Sequence, residues 1–63
     1  MTYPAEYEVE FYNEIEGKME YIKGVTMAES FTDAMQKIEN YYGDELNKVT
    51  ITLLEEAEIY EFE

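Results

Sequence analysis

The sequence predicts an α+β fold: a single small domain over residues 1–63, in which one helix packs on one face of an antiparallel sheet of three or four strands. Apolar and polar residues alternate early in the chain and again near its end, which is typical of half-buried strands. Between these segments, apolar residues recur every three or four positions, as on an amphipathic helix. With 63 residues, the chain is long enough for one core only. The predicted order is β-β-α-β, with an optional C-terminal strand.

The first strand is predicted to begin at Tyr7, after a lead-in over residues 1–6 in which Pro4 disfavours a helix. Successive side chains of a strand point to opposite faces. One face carries Tyr7, Val9 and Phe11, and the other carries Glu8, Glu10 and Tyr12. Glu16-Gly17 predicts a hairpin tip, because glycine accepts a positive φ without steric cost.

The second strand is predicted where the alternation resumes, at Met19. One face carries Met19, Tyr21, Lys23, Val25 and Met27, and the other carries Glu20, Ile22, Gly24 and Thr26. A glycine inside a strand often marks a bulge or a site where another backbone comes close. Gly24 is therefore expected to mark one of these two features.

The helix is predicted to follow a capping-box-like start at Ser30-Phe31-Thr32-Asp33, in which the serine hydroxyl accepts from a free backbone N–H. The apolar stripe that follows spans about 12 residues. Its members are Phe31, Ala34, Met35, Ile38, Tyr41 and Tyr42. Gly43 is suited to end the helix, and Asp44 and Glu45 are expected to form a loop.

The third strand is predicted over residues 46–54, and Glu55-Glu56 interrupts it. Residues 57–63 are expected to form either a fourth short strand or an irregular acidic arm. The predicted core combines the apolar faces of the strands and of the helix. It comprises Val9, Phe11, Val25, Phe31, Met35, Ile38, Ile51 and Leu53.

The composition argues against catalysis. The chain has no cysteine, and hence no thiolate metal site, and no histidine, the usual general base. The sequence therefore predicts a protein that is not an enzyme and that binds no cofactor. Carboxylate chemistry or a hard cation at Asp44-Glu45 or at Glu55-Glu56-Glu58 is a weaker alternative. No apolar run is long enough for a membrane span, which predicts a cytoplasmic protein, in the host cytoplasm if it is phage-encoded.

The acidity predicts the kind of partner. Sixteen Asp and Glu against four Lys give a net charge of −12, which disfavours direct binding to nucleic acid and favours a basic, nucleic-acid-binding protein. Side chains on one strand face repeat at about 6.6 Å, close to the roughly 6–7 Å between successive phosphates. A row of glutamates on a strand can therefore mimic DNA. Other acidic binding modules, and acidity that serves solubility alone, are the alternatives.

Tyrosine is the second unusual feature, because seven tyrosines exceed what so small a core can bury, and tyrosine is favoured at interfaces. The small core and the apolar residues on both sheet faces also predict a homodimer. The predicted partner-binding residues combine strand, hairpin and C-terminal glutamates with exposed tyrosines. They are Glu8, Glu10, Tyr12, Glu16, Glu20, Tyr42, Glu55, Glu56, Glu58 and Tyr60.

Four short motifs carry a resemblance to a known family. They are Gly17-Lys18, Lys23-Gly24, Tyr42-Gly43 and the strand Val49–Leu53. Together they resemble the small acidic phage inhibitors of uracil-DNA glycosylase, and this resemblance implies a strand-strand-helix-strand order and a dimer that mimics DNA. The chain departs from that pattern in a tighter spacing between Lys18 and Lys23, a longer helix and an acidic tail.

The expected function is therefore that of a non-catalytic phage-type inhibitor that occupies the nucleic-acid-binding groove of a host or defence enzyme. Uracil-DNA glycosylase and a CRISPR nuclease are both open as targets, because anti-CRISPR proteins and phage inhibitors of RNA polymerase have a similar size and acidity. The alternative is a small structural or assembly module that acts through edge-strand pairing and tyrosine contacts.

Overall fold

The computed structural model describes residues 1–43 and 46–62, and these form a small α+β unit. The elements are β1 (Tyr3–Asn13), β2 (Lys18–Ala28), α1 (Phe31–Tyr42), β3 (Leu46–Leu53) and β4 (Glu56–Glu61). The four strands form one antiparallel sheet in the order β2-β1-β3-β4, and α1 packs on one face of it. The C-terminal segment thus contains a strand, while Asp44, Glu45 and Glu63 lie outside the described residues.

β1 begins at Tyr3, four residues before the predicted start. Pro4 pairs with Met27 of β2, whereas pairing with β3 begins only at Glu6. Proline lacks a backbone donor and is tolerated where a strand is free on one side. Pro4 therefore lies at a position of β1 that needs only one neighbour.

The β1–β2 hairpin confirms the predicted tip. The side-chain oxygen of Asn13 accepts from the backbone N–H groups of Ile15 and Glu16 at 3.0 and 3.2 Å, which satisfies two turn donors. The N–H of Gly17 donates to the carbonyl of Asn13 at 2.7 Å, and Gly17 has a φ of 67°. This left-handed conformation is the one for which glycine was expected.

Gly24 marks a close approach rather than a bulge, because β1 and β2 pair through it without a shift. The ring of Tyr7, directly opposite on β1, lies over the glycine and occupies the space that a Cβ would take. Any larger residue at position 24 would therefore displace the Tyr7 ring.

The caps of α1 are as predicted. Ser30 accepts from the N–H of Asp33 at 3.1 Å, and the carboxylate of Asp33 accepts from the N–H of Glu29 at 2.9 Å. The bond from Glu29, assisted by Lys37, holds the pKa of Asp33 below its ordinary value. At the other end, Gly43 has a φ of 85° and its N–H donates to the carbonyl of Glu39 at 2.7 Å. The helix therefore spans the predicted 12 residues.

The core lies between α1 and one face of the sheet. Its buried members are Ala5, Val9, Ala28, Ala34, Met35, Ile38, Leu46, Val49, Ile51 and Leu53. Five of the eight predicted core residues are among them, while Phe11 and Phe31 are half-buried at its margin. Val25 was wrongly predicted: its side chain is 60% exposed, because it pairs with Glu6 on the face away from α1. Tyr41, on the predicted helix stripe, is likewise exposed.

The β3–β4 connection is a two-residue turn, so β3 ends one residue before the predicted Leu54. Leu54 and Glu55 both have a positive φ, at 51° and 66°. Two positive φ values in a two-residue hairpin loop are the pattern of a type I′ turn, which usually carries Asn and Gly. Among the residues described, no helix is long and apolar enough to span a membrane.

Candidate partner-binding surfaces

The sheet has a covered face, on which α1 packs, and an open face on the opposite side. The strand register assigns each side chain, since residues paired across an antiparallel sheet share a face. The open face carries Pro4, Glu6, Glu8, Glu10 and Tyr12 from β1, Met19, Tyr21, Lys23, Val25 and Met27 from β2, Lys48, Thr50 and Thr52 from β3, and Ala57, Ile59 and Glu61 from β4. No element of the described chain packs on this face, so it is open to another molecule.

A carboxylate row runs along the middle of the open face, formed by Glu6, Glu8 and Glu10 of β1. Their alternate positions place neighbouring Cα atoms about 6.8 Å apart along the strand. Lys23 of β2 lies directly opposite Glu8, with its Nζ 3.8 Å from the carboxylate. Such an exposed pair contributes little to stability. Lys48 of β3 lies directly opposite Glu10. The three carboxylates therefore lie between two lysines, and the five side chains together carry a net charge of −1.

Apolar side chains flank the carboxylate row, most of them on β2. Tyr21, Val25 and Met27 are all exposed there, and Tyr12 lies at the end of the row. Glu10 lies directly across from Tyr21, and its carboxylate raises the pKa of the tyrosine hydroxyl by favouring the protonated form. An acidic centre beside an exposed aromatic and aliphatic margin combines charge with contact area.

The predicted partner-binding residues do not gather on one surface. On the open face lie Glu8, Glu10 and Tyr12; in the two turns lie Glu16 and Glu55; on the covered side of the edge strands lie Glu20, Glu56, Glu58 and Tyr60; and Tyr42 lies at the end of α1. The strand register separates them, because Glu20 pairs with Phe11 and Glu58 pairs with Ile51, both of which face α1.

Several of these residues have local partners. The amide of Asn13 donates to Glu20 at 2.9 Å, which ties the hairpin turn to β2. The hydroxyl of Tyr60 donates to Glu58 at 2.7 Å, and this bond raises the pKa of Tyr60. Tyr60 also packs against the core. These contacts give the C-terminal predicted residues a part in the fold itself.

Tyr42 joins α1 to the sheet. Its hydroxyl lies 3.0 Å from that of Tyr7, and the two rings meet edge to face with centroids 6.0 Å apart. The hydrogen bond to Tyr7 raises the pKa of Tyr42 to about 12. Both tyrosines line a shallow cleft of about 350 Å³ between α1 and β2, beside the exposed ring of Tyr41.

Thirteen of the sixteen open-face residues were not among the predicted binding residues. They include Glu6, Tyr21, Val25, Met27 and Ile59. For Glu6 the signal was present, because it continues the alternation of Glu8 and Glu10. For the apolar residues, only the strand register shows that their face is uncovered.

Of the two acidic clusters considered for a cation, Asp44-Glu45 lies outside the described residues. Within residues 1–43 and 46–62, no group of three acidic side chains is placed to hold a metal ion. The open face is thus the candidate site with the most coherent chemistry. The chain matches no protein-family model, no curated protein and no solved structure.

Proposed function

We propose that this protein is a non-catalytic inhibitor that occupies the nucleic-acid-binding groove of a basic host or defence enzyme. The observation that carries the proposal is the row of Glu6, Glu8 and Glu10 along the middle of the open face. Their spacing of about 6.8 Å is close to that of phosphates along one strand of DNA. Lysine and arginine side chains that bind successive phosphates can therefore bind these carboxylates instead.

The shape and charge of the whole chain support the same function. The Cα atoms extend over 39 × 20 × 19 Å, so the molecule is elongated. Together with this elongation, the net charge of −12 gives the molecule a high density of negative charge.

The apolar margin of the open face, unlike its charge, slows dissociation of the complex. Electrostatic attraction speeds association, whereas buried aromatic and aliphatic contacts slow dissociation. Tyr21 and Tyr12 are suited to this part, because tyrosine gives a large rigid contact area with few rotatable bonds. Charge therefore brings the inhibitor to the groove, and the tyrosines hold it there.

The class of target rests on the resemblance to phage inhibitors of uracil-DNA glycosylase. That resemblance supports a phage-encoded inhibitor whose target is a DNA-binding enzyme. Inhibition of this kind needs no cysteine or histidine in the inhibitor. A CRISPR nuclease meets the same requirement, because its nucleic acids lie in a positively charged channel. Both enzymes are accordingly the first targets to test.

The test is a pair of triple variants with the same change in net charge. Glu6→Gln/Glu8→Gln/Glu10→Gln removes the row on the open face, and Glu55→Gln/Glu56→Gln/Glu58→Gln is its control at the β3–β4 end. Association with purified uracil-DNA glycosylase and with a CRISPR nuclease is followed at two salt concentrations. We expect the first triple to slow association about tenfold at low salt and to flatten its salt dependence, and the control about twofold.

Equal rates for the two triples would contradict the proposal, since position on the open face would then be irrelevant. A wild-type protein that binds neither enzyme, and that captures no basic nucleic-acid enzyme from a bacterial lysate, would contradict it too. A second candidate function, an assembly module, is favoured by the apolar margin on β2. It predicts a complex that salt does not weaken, because apolar burial is little screened.

A further inference from the structure

We propose that the outer edge of β2 is the surface through which two copies of this chain form a homodimer. β2 pairs with β1 at all of its 11 positions without a register shift. Within the described part of the chain, no strand pairs with its other side. One carbonyl of β2, that of Met27, accepts from the Nζ of Lys37 at 2.7 Å. The rest of this long, regular edge of backbone N–H and C=O groups is the surface that a further strand can extend.

The two edges of the sheet differ in how well they are protected. β4 has only six residues, and three of them are glutamates: Glu56, Glu58 and Glu61. β2 carries two lysines and one glutamate, a net charge of +1 in a chain of −12. Lys23 lies across the open face toward Glu8. The edge of β2 is therefore longer than that of β4 and carries fewer charges per residue, three in 11 against three in six.

Exposed apolar side chains are concentrated on the same strand. The large ones on β2 are Met19, Tyr21, Ile22, Val25 and Met27. Two copies of an acidic chain repel each other least where their surfaces are least negative, and in this chain that place is β2. Two copies that approach by their β2 edges bring these exposed apolar side chains together without bringing two rows of glutamates together. A second copy is therefore the partner that this edge fits.

Symmetry restricts how the two β2 strands can pair. A two-fold axis perpendicular to the sheet makes them antiparallel and leaves both helices on the same side. Centred on Lys23, the pairing would place two lysines opposite each other. Centred on Ile22, it places Tyr21 opposite Lys23 of the second copy and Met19 opposite Val25 of the second copy. The second register opposes no like charges and gives an aromatic ring a cationic neighbour.

The dimer would be an eight-stranded sheet with one continuous open face. The two copies of β1 are then separated by three strand spacings, about 14 Å. Two antiparallel carboxylate rows at this distance resemble the two phosphate rows that border a DNA groove, the wider of which is about 12 Å across. The dimer is inferred from the β2 edge alone, and does not depend on the proposed function.

Sedimentation velocity over a range of protein concentrations tests the dimer directly. We expect a species of twice the 7.5 kDa chain mass. Its share should rise between about 0.05 M and about 0.5 M NaCl, because salt screens the repulsion between two acidic chains. A complex held by opposite charges would weaken over the same range. The two proposals therefore have opposite salt dependence.

Two matched variants locate the interface. Val25 and Ile59 are β-branched residues of the open face, 60% and 59% exposed, on opposite edge strands. We expect Val25→Glu to weaken dimerisation at least about tenfold, because it puts a further negative charge in the pairing edge. Ile59→Glu should leave the dimer intact. Far-ultraviolet circular dichroism checks that both variants keep the fold.

Three outcomes would overturn the inference. One is a wild-type chain of 7.5 kDa at every concentration and salt. Another is equal weakening by Val25→Glu and Ile59→Glu, which would place the contact elsewhere. The third is fast hydrogen exchange along the outer side of β2 in a protein that is dimeric by mass. A monomer that still inhibits its target would remove the dimer and leave the proposed function standing.

Discussion

The two faces of the sheet separate stability from recognition. Among the described residues, the buried side chains of the sheet all lie on the covered face, against Met35 and Ile38 of α1. The open face instead carries the carboxylate row and a margin of half-exposed apolar groups. A chain of this size has a low free energy of unfolding. Because the open face takes no part in the core, its side chains can change without unfolding the protein.

The largest expected effect is on the free energy of unfolding, and it is tested by replacing an isoleucine with alanine on each side of the sheet in turn. Ile38→Ala removes a fully buried side chain of α1 and should lower the free energy of unfolding by about 2–5 kcal/mol. Ile59→Ala, on the open face, should change it by less than about 0.5 kcal/mol. Urea denaturation of the two variants measures both values. Similar losses would show that the open face is buried in the free protein.

A smaller effect is expected at the tyrosine pair that joins α1 to the covered face. Tyr42→Phe removes the hydrogen bond to Tyr7 and should cost about 0.5–1.5 kcal/mol at neutral pH. Tyr12→Phe, on the open face, is the control and should cost less than about 0.5 kcal/mol. Thermal unfolding of both variants checks the difference. Equal melting midpoints would show that the hydroxyl pair contributes nothing.

The hydrogen bond between Tyr7 and Tyr42 also makes the difference in stability between the wild type and Tyr42→Phe depend on pH. The pKa of Tyr42 is raised from 10.0 to about 12, so the folded state holds this proton more tightly than the unfolded state. Its stabilisation is complete below pH 10 and is lost as the pH rises through about 12. The advantage of the wild type over Tyr42→Phe should shrink over that window. A gap that stays constant up to pH 12 would contradict the assignment.

The smallest effect has the opposite sign. Replacing Glu6, Glu8 and Glu10 with glutamine should raise the free energy of unfolding by about 0.5–1 kcal/mol at low salt, because neighbouring carboxylates about 7 Å apart repel one another. Added NaCl should raise the melting midpoint of the wild type more than that of the triple variant. A lower stability of the triple variant at low salt would mean that the attraction of Lys23 and Lys48 for these carboxylates outweighs the repulsion.

The comparison of the faces also shows how far the sequence predicts the structure. The capping residues Ser30 and Asp33, the glycine that ends α1, and the alternation in β1 all depend on local physics, and all were found where expected. The error at Val25 has a different origin. Alternation divides a strand into two faces but does not say which face is covered, and both faces of β2 carry apolar residues.

The same limit applies to the candidate site. Glu8 and Glu20 both belong to acidic faces in the sequence pattern, yet the pairing of β1 with β2 puts them on opposite sides of the sheet. The early start of β1 was missed because Pro4 argues against a strand unless its neighbours in the sheet are known. What could not be predicted is thus the register between strands, which depends on contacts across the whole chain.

The strand order has a kinetic consequence. Two of its three pairings are hairpins between consecutive strands, closed by short turns after Asn13 and Leu53. The central pairing, of β1 with β3, joins residues as distant in sequence as Glu6 and Thr52. The entropic cost of closing this long loop comes before the gain from its contacts. We therefore expect the pairing of β1 with β3, the central seam of the sheet, to limit the rate of folding. Stopped-flow refolding of Val49→Ala, a substitution within the seam, would then be slowed, whereas Ile59→Ala in β4 would leave the refolding rate nearly unchanged.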